Sequence, residues 1–267
     1  MCIVFVAFQA HPEYPLIVAS NRDEFFARPT EVAHRWTPWV NGEKHETQIL
    51  AGRDMEGDGT WLGVEKTSGR FAVLTNVRDP EHFSQNRESR GHLVTDFLTS
   101  SETPQEVLQR LSDRHDDFNP YNLLVATPLE AWFYSCTEEG PRQLQPGIYA
   151  LSNATLDTPW PKVHRGKEKF SMLLKSWTME VGPEPLFKML RDSERAPDSF
   201  LPNTGVPLEW ERLLSSIFIR DDTGRYGTRQ STIYVVNNEF KAHFRERTFD
   251  NEGVCQREHA FCLNLGI

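Results

Sequence analysis

Residues 2–25, CIVFVAFQAHPEYPLIVASNRDEF, hold two apolar runs joined by a short polar link. Residues 2–9 and 15–20 are β-rich and apolar, and His11-Pro12-Glu13-Tyr14 supplies a turn-favouring proline between them. The stretch therefore predicts an antiparallel hairpin. Such a hairpin returns its second strand beside the first, which brings Asn21, Arg22, Asp23 and Glu24 next to Cys2.

A thiol at the second position reads in two ways. A small residue after the initiator methionine permits removal of Met1, leaving cysteine at the head of the chain. Its own α-amine, with an ordinary pKa near 8, would then be a general base for its own thiol. The other reading is a small buried hydrophobe opening an edge strand. Asn21–Glu24 is likewise either a solvated turn or a set of groups serving Cys2. In the second case Asp23 would hold the amine, and Arg22 would steady a thiolate or orient substrate.

Further along, GTWLGVEKTSGRFAVLTNV predicts strands over 61–65 and 70–76, and residues 28–50 read as irregular and polar. Helices follow in RGHLVTDFLTS and TPQEVLQRLSDRH, the second with Thr103 as N-cap and Pro104 at the first helical position. YNLLVATPLEAWFYSC and PGIYALSN return to strand character, and PKVHRGKEKFSMLLKSW and EPLFKMLRDSE predict a second helical region. RQSTIYVVNN and KAHFRERTF form a last antiparallel pair. Strands alternate with helices while hairpin links stay short. This implies an α+β fold of antiparallel sheets with helices on the outer faces.

The 267 residues are 38% hydrophobic and 25% charged, with formal net charge −9, and are read as one domain over 1–267. No run approaches the ~20 apolar residues of a membrane helix. Without clustered basic residues nucleic acid is not expected as a partner, and a cytoplasmic location is the default. Four cysteines, at 2, 136, 255 and 262, lack the spacing of a disulfide framework and are expected to be reduced. CQREHAFC places Cys255, His259 and Cys262 at helical spacing, but three local ligands with no second cluster do not make a metal site. GRDMEGDGT at 52–60 reads as a glycine-rich turn. Asn76 and Asn153 both close strands, where asparagine suits a turn or a pair of amides aimed at an oxyanion. Arg229 opens a strand, as an edge charge or a site residue.

MCIVF, ASNRDEFFARP, GRDMEGDGTWLGV, FAVLTNVRD, LSNATLDTPWPKV and YGTRQSTIYV together resemble the transport and Golgi organization 2 family, also called the NRDE family, along nearly the whole chain. The resemblance implies a fold similar to the N-terminal-nucleophile hydrolases, a four-layer αββα sandwich of two packed, mainly antiparallel sheets covered by helices. Within that superfamily the chain is most similar to the cysteine branch of choloylglycine hydrolases and penicillin V acylases. Cys2 matches its nucleophile. Asp23 and Arg22 match its acidic and basic pair, here in the order Asn21-Arg22-Asp23 where the branch has arginine first. Asn76 resembles its oxyanion asparagine, Asn153 the asparagine of a similar Asn-to-Trp segment, and Arg229 its C-terminal arginine.

The resemblance implies a cysteine amidase or acylase acting on a small linear amide or acyl substrate, with no cofactor required. Asn21, Trp36 and Trp61 are expected to contact substrate. The family is also linked to haem movement and to lipid and acyl-coenzyme A metabolism. The alternative is therefore a carrier of haem or an acyl thioester on the same fold, with Trp36, Trp61, Trp160 and Phe25-Phe26 lining the cleft. His34, His92 and His164 would then be candidate haem ligands.

Overall fold

The computed structural model describes residues 2–40 and 42–267. Met1, whose removal the sequence reading invokes, lies outside the described residues. The first hairpin forms as expected, with β1 (Cys2–Phe8) antiparallel to β2 (Leu16–Phe25). The chain continues through β3 (Thr30–Trp36), β4 (Trp39–Val40), β5 (Glu43–Lys44), β6 (Ile49–Asp54), β7 (Leu62–Glu65) and β8 (Arg70–Asn76). Helices α1 (Gly91–Thr99) and α2 (Pro104–Ser112) follow, then β9 (Tyr121–Ala126), β10 (Ala131–Ser135), β11 (Arg142–Gln143) and β12 (Gly147–Leu151). The last part comprises α3 (Pro161–Leu174), α4 (Glu184–Leu190), α5 (Leu208–Leu213), β13 (Tyr226–Val236), β14 (Lys241–Phe249) and β15 (Cys255–Asn264).

Two large antiparallel sheets result. One runs β12-β1-β2-β13-β14-β15 and the other β11-β10-β9-β8-β7-β6-β3. Strand alternation decides what each face meets. Val4, Val6 and Val18 point inward to Val64, Phe71, Val73 and Phe133 of the facing sheet, and the rings of Phe71 and Tyr234 stack between them at 5.4 Å. Ile3, Phe5, Ile17 and Ala19 point outward to Val163, Phe170, Leu186 and Leu190 of α3 and α4. On the far side Ala72, Leu123 and Val125 meet α1 and α2 through Leu93, Phe97, Val107 and Leu108. The protein is thus α+β, with three apolar layers between four layers of secondary structure.

Local signals act as anticipated in several places. Thr103 caps α2 in a reciprocal capping box with Glu106, and Pro104 opens the helix. GRDMEGDGT forms a turn in which Asp54 Oδ1 accepts from the Glu56 and Gly57 amides. Gly59 is required there, since a Cβ would lie 2.5 Å from the backbone of Gly91 at the start of α1.

Three expectations are corrected and one element is added. Residues 28–50 are not irregular: β3 pairs with β6 across a bulge, its alternation hidden by charged side chains on the outward positions. Asn21–Glu24 is not a solvated turn, because β2 runs on to Phe25, paired on both sides by β1 and β13. The CQREHAFC tail is strand β15, not helix. It lies at the sheet edge with most side chains exposed, so it lacks the apolar alternation that marks a strand. The six-residue α5 was not anticipated, being too short for a helical period to register.

Candidate functional site around Cys2

Cys2 and Arg22 are direct partners in the β1–β2 register, and both are even-numbered positions on the inner face. They open into a cavity of about 630 Å³ whose walls also carry Asp54, Trp61, Asn76 and Arg90. The guanidinium of Arg22 lies 4.1 Å over the Trp61 ring, donates to Gln230 Oε1 and Thr30 Oγ1, and approaches Asp54 to 3.9 Å. Stacking plus planar hydrogen bonding fixes it beside the thiol. Burial pushes the Cys2 thiol up, while the positive charge of Arg22 pulls the other way.

Asp23 takes the opposite face of the same strand. Its Oδ1 accepts from Thr228 Oγ1 at 2.6 Å, and its backbone carbonyl accepts from the Tyr226 hydroxyl. Burial pushes its carboxyl up to about 6, against nearby positive charge that includes Lys162 and the hydrogen bond from Thr228. A bulge in β13 between Thr228 and Gln230 makes this possible. The extra residue lets Thr228 meet Asp23 on one face while Gln230 meets Arg22 on the other.

The extra residue is Arg229. Its guanidinium donates to the backbone carbonyls of Phe25 and Arg28, tying the end of β2 to the following loop. Arg229 is not among the cavity walls. Asn76 is, at the C-terminal end of β8. Asn153 lies one step behind, its Nδ2 donating to the Asn76 carbonyl at 2.9 Å and its own carbonyl accepting from the Arg78 amide.

Asn21 and Trp36, expected at substrate, are used elsewhere. Asn21 is fully buried on the helix face, where its amide donates to the Leu190 and Ile217 carbonyls and accepts from Ser231. Trp36 donates to the Ala51 carbonyl in the layer beneath α1. Phe25 packs on Tyr226 and Trp210, and Trp160 lies under Arg78. Trp61 is the expected aromatic that reaches the cavity, and His34, His92 and His164 do not line it.

Groups absent from the sequence reading complete the surroundings. Arg28 bridges Asp54 and Glu56 at the cavity rim. Arg90, with its charge disfavoured by burial so that its pKa falls to about 10, donates to the Pro120 carbonyl. Behind Asp23 lie Lys162 and the buried Arg78–Glu211 ion pair. Lys162 lies within the LSNATLDTPWPKV segment and is buried in α3 with Val163, Gly166 and Phe170.

Among described residues no helix is long and apolar enough to cross a membrane. The sequence profile described as Transport and Golgi organisation 2 matches residues 1–251. A human protein, "Transport and Golgi organization protein 2 homolog", is 35% identical over 97% of this chain and 96% of its own length. A mouse homologue is 32% identical over 93% of each chain. The Drosophila melanogaster protein is 28% identical over 97% of each. A match along so much of the chain, together with full-length relatives above 30% identity, shows that this chain belongs to the Transport and Golgi organisation 2 family.

Proposed function

We propose that the chain is a cysteine N-terminal-nucleophile hydrolase of linear amide or acyl bonds, with Cys2 as nucleophile. The observation that carries this reading is the pairing of Cys2 with Arg22 on the wall of a cavity that also holds Asn76 and Trp61. After loss of Met1, the α-amine of Cys2 accepts the thiol proton and the thiolate attacks the substrate carbonyl. Asn76 donates to the resulting oxyanion, and Asn153 holds the Asn76 carbonyl in place. Collapse expels the amine or thiol, which takes the proton from the α-ammonium. Water, deprotonated by the same amine, then releases the acid and restores the thiol.

In this reading Arg22 steadies the thiolate, Asp23 orients the amine, and Arg229 acts indirectly by holding the end of β2. Charged walls favour a small polar acyl substrate over an extended apolar one. The carrier alternative places haem or an acyl thioester in the same cavity. A screen of amides and thioesters against wild type and Cys2→Ala separates the two. Saturable acid release that is lost in Cys2→Ala supports the hydrolase. A Soret shift on adding haem, equal in both proteins and without any turnover, favours the carrier.

A further inference from the structure

Lys162 is the second residue of α3, and it is only 1% exposed. Three physical costs meet there. Burial strips an ammonium of its water. The first turn of a helix is the positive end of its dipole, where acidic side chains are favoured. Arg78 is a second buried cation within electrostatic range. No hydrogen bond offsets these costs, for among the described residues Lys162 Nζ has no partner. Arg78, by contrast, pairs with Glu211 and lies 4.8 Å over the Trp160 ring. A methionine at position 162 would fill similar space without those penalties. A lysine in such a place points to the field it exerts.

Strand parity says where that field falls. Ile17 and Ala19 of β2 pack on the helix face, and Asn21 and Asp23 continue the same odd-numbered row. Helix α3 is held against that face at Gly166, where a Cβ would lie 2.2 Å from the Phe5 ring. Lys162 is one turn earlier. Among the described residues, the charged and titratable groups acting most on it are Arg78 after β8, Asp23 of β2, Cys2 of β1 and Glu211 of α5. Tyr226 of β13 donates to the Asp23 carbonyl from the same side. Glu211 is engaged by Arg78 and Thr204, and Asp23 is the other carboxylate in electrostatic range of Lys162.

We propose that Lys162 is a positioning residue of the Cys2 site, whose buried ammonium holds Asp23 as a carboxylate at neutral pH so that Asp23 can orient the α-amine. The last clause rests on the hydrolase reading; the electrostatic coupling itself does not. Burial pushes Asp23 up to about 6, with Glu24 adding to it and the positive chain terminus and then Lys162 opposing it; burial and Arg78 push Lys162 down to about 8, with Asp23 opposing. Both are therefore ionised between those values. Removing the lysine takes away one of the charges that hold the Asp23 carboxyl down, so it moves upward.

Infrared difference spectroscopy on the full chain tests this, since a protonated carboxyl absorbs apart from a carboxylate. Lys162→Met is expected to gain a protonated-carboxyl band at pH 7 that vanishes in Lys162→Met/Asp23→Asn, while Lys162→Arg matches wild type. No such band in Lys162→Met overturns the proposal, as does an equal band in Lys162→Arg. Should Lys162→Met fail to fold, Lys162→Gln is measured in the same way. The wild-type Asp23 band, identified against Asp23→Asn, is expected to titrate near pH 6, and a midpoint above 8 also overturns the proposal. If the band behaves as expected while no amide or thioester is turned over, the electrostatic coupling stands and the hydrolase reading falls.

Discussion

Cys2 and Arg22 face each other across the first two strands, and cross-strand partners share a face of the sheet, so thiol and guanidinium open into one cavity. Burial holds the thiol protonated and Arg22 opposes it. Arg22→Met should therefore raise the pH at which Cys2 is alkylated by about one unit, a tenfold slowing at a fixed pH below the midpoint. Iodoacetamide labelling resolved by peptide mass spectrometry from pH 6 to 10 measures it. Arg22→Lys keeps the charge but loses the planar stack on Trp61, and should fall between the two. An unmoved midpoint in Arg22→Met would show that the guanidinium does not act on the thiol.

Glu246 gives a prediction about stability. It is buried between the sheets and accepts from the Ala33 amide, left unpaired by the bulge in β3. Burial pushes its carboxyl up to about 7 from an ordinary 4.5. The folded state therefore holds a proton that the unfolded chain releases, and stability falls as pH rises from about 4.5 to 7. Glu246→Gln should remove that fall, gaining about 3 kcal/mol relative to wild type above pH 7 and little below pH 4.5. Urea unfolding at several pH values checks this, and parallel curves for the two proteins would refute it.

Gly166 sets the approach of α3 to β1. Alanine is the better helix former by about 1 kcal/mol, yet its Cβ would press on the fully buried Phe5 ring and on Ile217. Gly166→Ala should be net destabilising by roughly 1–3 kcal/mol, the usual cost of overpacking. A variant as stable as wild type would mean that the helix can stand further from the sheet.

Much of the architecture was legible because its strands alternate and its hairpins are short. Residues 2–8 and 16–20 announce β1 and β2, and Thr103-Pro104 announces α2. The extension of β2 through Asn21, Arg22 and Asp23 was not legible, since burying those side chains depends on partners about 170 to 210 residues away, among them Leu190, Gln230 and Thr228. The same holds at the site. Proximity of Arg22 and Asp23 to Cys2 follows from one hairpin, and their opposite faces from strand alternation, but that Thr228 meets Asp23 and Gln230 meets Arg22 depends on the bulge at Arg229. Lys162 was missed because a lone lysine early in a helix looks solvent-facing until the sheet it packs on is known.

The central claim is that Cys2 is a nucleophile freed by loss of Met1. Its most direct test is the intact mass of the purified protein before and after brief exposure to a thioester acyl donor, with the adduct mapped by peptide sequencing. The account predicts that Met1 is missing, that one acyl group is gained on Cys2, and that Cys2→Ala gains none. A retained Met1 together with an unmodified Cys2 would contradict it.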